Sequence, residues 1–552
     1  MSLSMSTPIS SLQDRPSGLY YLYNFRSALQ WLRDRYADLL PEAENRFIDE
    51  FGALPLVSQA LLVRLIMRKG QHFRASRISY VEIGSTERAV GPLVSLQWID
   101  PNPLLNLDAL FKLARRAEVA EIFQELPSGI SKAKALEALR ETQHEARPFQ
   151  EWRGSVAERV YFVAVAPLCT RLRLLFFGNF SQDWSEFVLA DLGVYKYEAV
   201  RFSTASRAFH CRQDIDDFFA LYECRRRLQE ESSLEDVLAQ LPAKNLGHEW
   251  LESRRAKLIF TIARQYERSG ERDTALSLYS KCNFPGARLR AIRTLETAGR
   301  HNEARELALA ASASPESAAE AQRLGRIILR LERHLNFPRR DVRRSARAER
   351  IDLIVPRPLP KRVEEVAREY LEGLAAPVYY VENTLVNSLF GLLCWEAIFA
   401  PLSGAFFHPF HFGPADLYSP TFRSRRASLF DECLGRLDSN EYQNSIRETF
   451  DLKHGTQSPF VSWGLLSKEL LDIALACLPP THLRGMFERL LGNLYENRSG
   501  LPDLVQFWPK EHRYRMIEVK GPGDRLQDNQ QRWMQFCIQS QIPVAVCHVR
   551  WV

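Results

Sequence analysis

The sequence lacks the patterns that mark several classes of protein. Of its 552 residues only nine are cysteine, and none forms a Cys-x-x-Cys or Cys/His cluster with zinc-site spacing, so neither a zinc finger nor a disulfide framework is predicted. No run of about 18 uncharged apolar residues occurs, which argues against a membrane-spanning helix. Residues 1–11 are polar without an apolar signal core, so we expect a cytoplasmic protein.

The sequence also has little excess charge of either sign, because 73 lysine and arginine residues nearly balance 67 aspartate and glutamate residues. A net charge of +6 is only mildly basic, so an acidic partner such as DNA would be met by local patches. Residues 323–350 form one such patch, with ten arginines against three acidic residues. A solvated basic helix or linker is the alternative explanation.

The most informative pattern lies between residues 500 and 522. Asp503 opens one apolar run, and Glu518-x-Lys520 lies inside a second run fifteen residues later. Strand alternation places Glu518 and Lys520 on one face. If the two runs form a hairpin with His512 and Arg513 near its turn, Asp503 lies beside Glu518, and two such carboxylates select Mg²⁺ or Mn²⁺.

This arrangement suits phosphodiester hydrolysis. A metal held by Asp503 and Glu518 can lower the pKa of a water and act as a Lewis acid, and Lys520 can position that water or hold a non-bridging phosphate oxygen. The alternative is a surface hairpin whose charges face solvent.

The sequence around both strands carries a family resemblance. Its motifs are Gly-Leu-Pro-Asp-Leu at residues 500–504, Glu-Val-Lys-Gly-Pro-x-Asp-Arg-Leu at 518–526 and Val-Cys-His-Val at 546–549. They resemble the virus-type replication-repair nuclease (VRR-NUC) branch of the PD-(D/E)xK nucleases, and the whole chain resembles a bacterial member of the Fanconi-associated nuclease family. The resemblance implies an α/β nuclease domain that uses one or two Mg²⁺ or Mn²⁺ ions.

The resemblance also supplies a third carboxylate. Residues 379–384, together with the apolar run at 389–399, are similar to the family's first catalytic helix, and the position that matches its metal-binding glutamate is Glu382. In the family, small residues flank this glutamate. This sequence departs from that pattern, because it has Val381 and Asn383 at the two flanking positions. The alternative is that Glu382 only stabilises the positive end of a helix.

The implied site therefore has two overlapping sets of residues. The metal ligands are Glu382, Asp503, Glu518 and the main-chain carbonyl of Val519. The catalytic residues are Glu382, Asp503, Glu518, Lys520 and Gln530, with Gln530 supporting the site from a helix capped by Asp524.

DNA-binding residues are expected near the N-terminus. Arg64, Arg68 and Lys69 recur at helical spacing beside an apolar stripe. They match basic residues of the family's N-terminal region that bind the DNA backbone, and Arg74 extends this patch. Two short helical patterns between residues 104 and 141 resemble a SAP-type motif, in which Lys132 and helix N-terminal amides hold phosphate.

The middle of the chain predicts further elements. Residues 160–199 have a β-rich composition that includes the apolar runs 173–177 and 187–189. Gly270 and Ala275 recur as Gly299 and Ala304 at a period of 29 residues, which resembles degenerate tetratricopeptide (TPR) repeats. A plain helical bundle is the alternative.

The long segment between Glu382 and Asp503 predicts a helical insertion in the nuclease module. His408 and His411 lie in it at i and i+3. With no third ligand at hand, we predict aromatic loop packing for them in preference to a metal site.

These patterns predict a multidomain, mainly α protein of three or four domains. The predicted domains are a helical DNA-binding region at 1–100, a SAP-like motif at 101–150, a mixed connecting region at 151–245, TPR-like repeats at 246–360 and a VRR-NUC nuclease domain with a helical insertion at 361–552. A Pro-rich stretch at 356–360 marks the last boundary.

We expect a structure-specific DNA nuclease that acts as a monomer on flapped or branched double-stranded DNA. The resemblance implies 5′-flap endonuclease and 5′→3′ exonuclease activity in interstrand crosslink repair, in the bacterial cytoplasm and at the nucleoid. The alternatives are a dimeric Holliday-junction resolvase-type nuclease and a non-catalytic DNA-binding scaffold.

Overall fold

A computed structural model describes most of the chain: residues 18–127, 129–154, 158–179, 182–184, 195–230, 233–243, 246, 248–338, 348–356 and 361–552. The chain divides into two compact units, Met1–Tyr195 and Lys196–Val552. Some predicted features lie outside the described residues: the polar segment 1–11, the apolar run 187–189, arginines 339, 340, 343, 344 and 347, and most of the Pro-rich stretch 356–360.

The first unit is mainly helical. Its helices, numbered over the described residues, are α1 (Tyr20–Tyr36), α2 (Glu42–Ala53), α3 (Leu56–Ile66), α4 (Thr86–Ser95), α5 (Leu107–Leu113), α6 (Arg116–Ile122), α7 (Lys132–Leu139), α8 (Phe149–Arg153) and α9 (Ala166–Phe177). Phe25, Leu29 and Leu32 of α1 recur at helical spacing and are buried, which confirms the predicted apolar stripe. Helix α3 ends at Ile66, so Arg68 and Lys69 follow the helix instead of lying on it.

The strands of the first unit are short: β1 (His72–Arg74), β2 (Ile99–Asp100), β3 (Leu104–Leu105), β4 (Arg147–Pro148) and β5 (Val160–Val163). They form a three-stranded sheet in the order β1-β5-β2 and the pair β3-β4. The β-rich interpretation of residues 173–177 was wrong, because they lie in α9. That helix carries Pro167 in its first turn and ends at Gly178 with positive φ, which are helix start and stop signals.

The second unit begins with helices α10 (Arg212–Gln229) and α11 (Leu234–Ala239), followed by α12 (Glu249–Ser269), α13 (Arg272–Ser280), α14 (Ala287–Thr297), α15 (His301–Ala313) and α16 (Ala318–His334). Gly270 and Gly299 lie at the turns after α12 and α14 with φ of +90° and +75°. Ala275 and Ala304 are fully buried between helices. The predicted repeat of helical hairpins is confirmed.

The C-terminal part of this unit is built on a five-stranded sheet. Its strands are β6 (Glu349–Val355), β7 (Val378–Tyr380), β8 (Leu504–Trp508), β9 (Arg513–Lys520) and β10 (Val544–Trp551), in the order β6-β10-β9-β8-β7. Strands β6, β10 and β9 are parallel, whereas β8 is antiparallel to β9 and to β7. Because β6 precedes the Pro-rich stretch, the domain boundary predicted at residue 360 divides this sheet.

Helices cover both faces of the sheet. They are α17 (Val363–Leu371), α18 (Leu385–Leu393), α19 (Trp395–Ile398), α20 (Ala427–Gly435), α21 (Glu441–Lys453), α22 (Lys468–Cys477), α23 (Pro480–Gly492), α24 (Leu494–Asn497) and α25 (Asp528–Gln539). Val366 and Ala367 of α17 pack with Ile517 and Val519 on one face. The larger core, which includes the helices of the predicted insertion, lies on the other.

His408 and His411 lie in this insertion and pack as predicted. The ring of His408 contacts those of Phe410 and His411, and the two histidines accept hydrogen bonds from the backbone amides of Phe410 and Phe407. Among the described residues no helix is both long and apolar enough to cross a membrane.

Candidate active site

The candidate site is built on the β8–β9 hairpin, as predicted. Leu504 pairs with Ile517 and Trp508 with Arg513, and a short turn at Pro509–Glu511 is closed by His512 in a left-handed conformation. Asp503 immediately precedes β8, so the antiparallel register places it opposite Glu518. Its carboxylate accepts a hydrogen bond from the Val519 amide at 2.8 Å.

Both carboxylates are buried. Asp503 is 6% exposed and Glu518 is 0% exposed. Lys520, two residues after Glu518, lies on the same face of β9, with its Nζ 2.7 Å from Glu518 Oε1. Neither oxygen of Glu518 accepts a hydrogen bond of ordinary geometry from the described residues. Lys520 is thus the one close cation beside this carboxylate among the described residues. A fully buried carboxylate with so few donors is unfavourable unless a further cation binds it, so Glu518 fits a metal ligand.

The protonation of these carboxylates reflects their burial. Burial raises the pKa of Asp503 to about 6, assisted by the charge of Glu382 and opposed by the Val519 amide and Lys520. Burial and the charge of Asp503 raise the pKa of Glu518 to about 7. Two carboxyl groups that resist ionisation together form a site that a divalent cation would stabilise.

Glu382 lies two residues after the end of β7, in a turn. The Val381 amide donates to the backbone carbonyl of Asp503 at 2.8 Å, which brings the two chain segments together. Glu382 is exposed and precedes α18 by three residues, so its predicted place on a helix was wrong. Its carboxylate accepts hydrogen bonds from the Tyr380 hydroxyl and from the side-chain Nδ2 of Asn383.

Asn383 and Gly500 fix the path of the two chain segments that carry Glu382 and Asp503. Asn383 has a φ of +53°, a left-handed conformation that asparagine tolerates, and its Oδ1 accepts from the Leu501 amide at 3.1 Å. Gly500 has a φ of +89°, and a Cβ there would lie 2.8 Å from the backbone of Asn529 on α25. Glycine at residue 500 thus allows the strand to approach the helix.

The segment after β9 differs in detail from the prediction. Helix α25 begins at Asp528 with Gln527 as its N-cap, so the predicted cap at Asp524 was wrong. The Asp524 carboxylate accepts instead from the Gly521 amide. The Gln530 side chain accepts from the Gln527 amide at 2.8 Å, so here it caps its own helix. Its catalytic role and the Val519 carbonyl as a ligand stay predictions.

Two residues near the site were missed in the sequence. Tyr380 bonds Glu382, and i, i+2 alternation along the strand was a signal for that contact. Glu364 on α17 adds negative charge. Burial, the hydrogen bond to Glu382 and the charges of Asp503 and Glu364 together raise the pKa of the Tyr380 hydroxyl. Nothing in the sequence distinguished Glu364 from other surface glutamates.

The predicted DNA-binding residues of the first unit differ in their surroundings. Arg68 and Lys69 are exposed. Arg64 instead forms an ion pair with Glu82, with its guanidinium 4.0 Å from the centre of the Tyr21 ring. Arg64 is therefore held by an ion pair, and the guanidinium of the exposed Arg68 lies 5.0 Å from the centre of the Phe73 ring.

Arg74 and Lys132 also serve the fold of this unit. Arg74 is 7% exposed and forms ion pairs with Glu118, at 2.7 Å, and with Glu158. Lys132 Nζ donates to the carbonyl of Ala114 after helix α5 at 2.8 Å. Contact of either with DNA stays a prediction, and the burial of Arg74 argues against it.

Comparisons with known proteins decide the family. A family model of the VRR-NUC domain matches residues 438–551, one of the FAN1 HTH domain matches residues 19–100, and one of the Fanconi anemia-associated nuclease SAP domain matches residues 104–152. The chain is 52% identical over 539 residues to the Fanconi-associated nuclease 1 homolog of Pseudomonas aeruginosa, which covers 97% of this chain and 96% of that protein. The chain belongs to the Fanconi-associated nuclease 1 family.

Other members and solved structures agree. A homolog from Arabidopsis thaliana is 24% identical over 608 residues, which cover 98% of this chain and 68% of that protein. A crystal structure of paFAN1 bound to 2-nt 5′-flap DNA with a gap matches with a TM-score of 0.89 and 52% identity, over 98% of this chain and 99% of that chain. A paFAN1 structure with a 1-nt 5′ flap matches with a TM-score of 0.88, over 97% and 99%.

Membership of this family confirms the predicted DNA nuclease, the SAP and VRR-NUC domains and the mainly helical fold. A VRR-NUC nuclease also implies a divalent metal requirement. The buried, donor-poor carboxylate of Glu518 is the feature of this chain that fits such a requirement.

Proposed function

We propose that this protein is a structure-specific DNA nuclease that cuts 5′ flaps and branched duplexes by metal-dependent hydrolysis of a phosphodiester bond. It would have both 5′-flap endonuclease and 5′→3′ exonuclease activity, in the repair of interstrand crosslinks. The observation that carries the proposal is the pair Asp503 and Glu518, which are buried, opposite each other and beside Lys520.

The choice of substrate rests on relatives. The two matching paFAN1 structures contain 5′-flap DNA with a gap, and each match spans nearly all of both chains. Because the likeness includes the first unit and the nuclease sheet, the same class of DNA is the expected substrate here. The dimeric resolvase and the non-catalytic scaffold have no observation of this kind in their favour.

The proposed metal is Mg²⁺ or Mn²⁺, held by Asp503 and Glu518 with the main-chain carbonyl of Val519. When bound, such an ion lowers the pKa of a water and neutralises charge on the phosphate. Among the described residues no three His, Cys, Asp or Glu side chains converge at metal-binding distance. Glu382 would therefore turn from Tyr380 to join the site, which its exposure permits.

Each protein group then has a task at the phosphodiester. The amide of Val519 fixes the orientation of the Asp503 carboxylate. Lys520 is 9% exposed, so its ammonium acts in a region of low dielectric constant, where it can orient the attacking water or stabilise charge on a non-bridging oxygen. We further propose that the protein acts as a monomer, at the nucleoid in the bacterial cytoplasm.

A cleavage assay tests the proposal. Purified full-length protein is given a 5′-flap substrate, a four-way junction and plain duplex, each with Mg²⁺, Mn²⁺, Ca²⁺ or EDTA, while mass in solution is measured in parallel. We expect flap cleavage with Mg²⁺ or Mn²⁺ by a monomer. Symmetric cutting of the four-way junction by a dimer would favour the resolvase, and binding without cleavage under every condition would favour the scaffold.

A further inference from the structure

A pocket of about 380 Å³ opens beside the candidate active site and has no part in the chemistry proposed above. Two of its lining residues belong to the segments that carry the carboxylates: Asn383 follows Glu382, and Ser499 lies four residues before Asp503. A ligand bound in this pocket would therefore lie next to the reacting phosphodiester.

Two exposed aromatic rings form one wall of the pocket. Tyr418 and Tyr495 contact each other edge to face, with ring centres 6.1 Å apart and planes at 87°. They are 54% and 78% exposed, so much of each ring is open to solvent. Arg498 donates hydrogen bonds to the Tyr418 hydroxyl and the Pro459 carbonyl, which holds Tyr418 in place.

Asn387 supplies a polar group to the lining of the pocket. It is 3% exposed, and its Nδ2 donates to the carbonyls of Asn383 and Arg498 at 2.6 and 2.9 Å. These two bonds use both amide protons and so fix the orientation of the side chain. Its Oδ1 is buried without a hydrogen-bond partner among the described residues, and a buried acceptor of this kind calls for a donor.

We propose that this pocket binds one unpaired nucleotide of the cleaved strand, next to the scissile phosphodiester, with its base stacked on Tyr495. Aromatic side chains with open faces are the usual stacking surface for unpaired bases, and the free Oδ1 of Asn387 suits an amino group of the base. The volume lies at the low end of the ~300–1,000 Å³ range of small-ligand pockets, so the pocket has room for one nucleotide. The inference rests on the proposed flap-nuclease function.

The test is a double-mutant cycle that combines a substitution in the protein with a change in the DNA. Cleavage rates are measured on 5′-flap substrates that carry a normal or an abasic residue on either side of the cut. The proteins compared are the wild type, Tyr495→Ala, Tyr495→Phe and, as a control, Tyr370→Ala on α17, which is also exposed. At one DNA position we expect the abasic residue and Tyr495→Ala each to lower kcat/KM roughly 10-fold. Together they should lower it no further, while Tyr495→Phe and Tyr370→Ala stay near wild type.

A second measurement does not depend on cleavage. 2-Aminopurine at that position, with Ca²⁺ in place of Mg²⁺, should be quenched by the wild type and by Tyr495→Phe but not by Tyr495→Ala. The proposed pocket would be overturned, with flap cleavage unaffected, by either of two results. One is that the abasic residue and Tyr495→Ala together lower kcat/KM by the product of their separate effects, and the other is quenching that does not depend on Tyr495. Quenching through Tyr495 without any cleavage by the wild type would overturn the proposed function and leave the pocket in place.

Discussion

Arg74 in the first unit and Glu518 in the nuclease sheet are both buried charges, but their surroundings differ. Arg74 is enclosed by two carboxylates, those of Glu118 and Glu158. Glu518 has one close cation, Lys520, and no hydrogen-bond donor of ordinary geometry on either oxygen among the described residues. A buried charge that two partners surround stabilises the fold, whereas a buried carboxylate with a single close cation can still bind a ligand.

The same contrast separates the predicted residues of the two regions. Arg64 and Lys132, expected to bind DNA, are bonded to Glu82 and the Ala114 carbonyl. Asp503 and Glu518, expected to bind metal, repel each other, since the charge of Asp503 raises the pKa of Glu518. Repulsion between buried carboxylates therefore distinguishes the candidate active site from the paired cations of the first unit.

The largest expected effect comes from substituting the three buried charged residues of the candidate site. Asp503→Ala, Glu518→Ala or Lys520→Ala should lower flap cleavage by at least about 10³-fold, because each removes metal binding or transition-state stabilisation. DNA affinity should stay within a few-fold, since phosphate contacts elsewhere dominate binding. Single-turnover cleavage and binding in Ca²⁺ measure the two quantities.

Glu511 provides the matched control for these substitutions. It lies at the turn of the same hairpin, where it is exposed and pairs with Arg513, so Glu511→Ala should leave cleavage unchanged. Near-normal turnover by Asp503→Ala would show that the metal site lies elsewhere.

Arg74→Ala should produce the next largest effect, this time on stability. It leaves the half-buried Glu118 and Glu158 without their shared cation, and of the two Glu118 keeps a second cation, Arg153. Breaking a buried pair costs up to roughly 3–5 kcal/mol. Chemical unfolding of the full chain measures the decrease in the unfolding free energy. Arg140→Ala, which breaks the exposed pair with Asp108, should change that free energy by at most about 1 kcal/mol. A stable Arg74→Ala protein with weakened DNA binding would instead restore Arg74 as a DNA-binding residue.

Glu518→Gln should stabilise the metal-free protein, contrary to most core substitutions. The pKa of Glu518 is raised from 4.5 to about 7 on folding, so the folded state binds the proton more tightly. Stability is therefore lost as the pH rises from 4.5 through 7, and glutamine removes this penalty. The gain should reach at most roughly 3 kcal/mol at pH 8 and be small at pH 4.5.

Metal provides the control for this prediction. Mg²⁺ or Mn²⁺ should raise the melting temperature of the wild type at pH 8 and have much less effect on Glu518→Gln, because the variant lacks one carboxylate charge. A variant that is less stable than the metal-free wild type at pH 8 would contradict the prediction. It would show that the ion pair between Lys520 and Glu518 stabilises the fold by more than burial of the Glu518 charge destabilises it.

The hairpin could be predicted from the sequence because its information is local. Asp503, Glu518 and Lys520 are related by strand alternation and by one turn. The partners of Arg74 could not be predicted, because Glu118 and Glu158 lie 44 and 84 residues away along the chain. Nothing in a single sequence selects those partners.

Glu382 falls between these cases. The motif identified its position, but not its place in a loop, because the left-handed turn at Asn383 delays the helix to Leu385. The prediction for residues 173–177 was wrong for another reason. Its apolar residues fit a buried strand or a buried helix equally well, and only Pro167 and Gly178 at its ends distinguished the two.

The smallest expected effect concerns the exposed cations of the first unit. Arg68 and Lys69 are exposed and can reach phosphate, whereas Arg64 is bound to Glu82. If the first two bind DNA, Arg68→Ala with Lys69→Ala should weaken binding and shallow the slope of log affinity against log salt by about 0.9 for each phosphate that the protein no longer neutralises. Adding Arg64→Ala should leave that slope unchanged and lower stability, because it breaks a structural pair. Arg46→Ala with Arg88→Ala, two exposed cations of the same unit, matches the change in charge and should not alter the slope. If all these variants had the wild-type slope, the phosphate contacts would lie outside this segment. A further decrease in the slope on adding Arg64→Ala would mean that the ion pair of Arg64 with Glu82 opens when DNA binds.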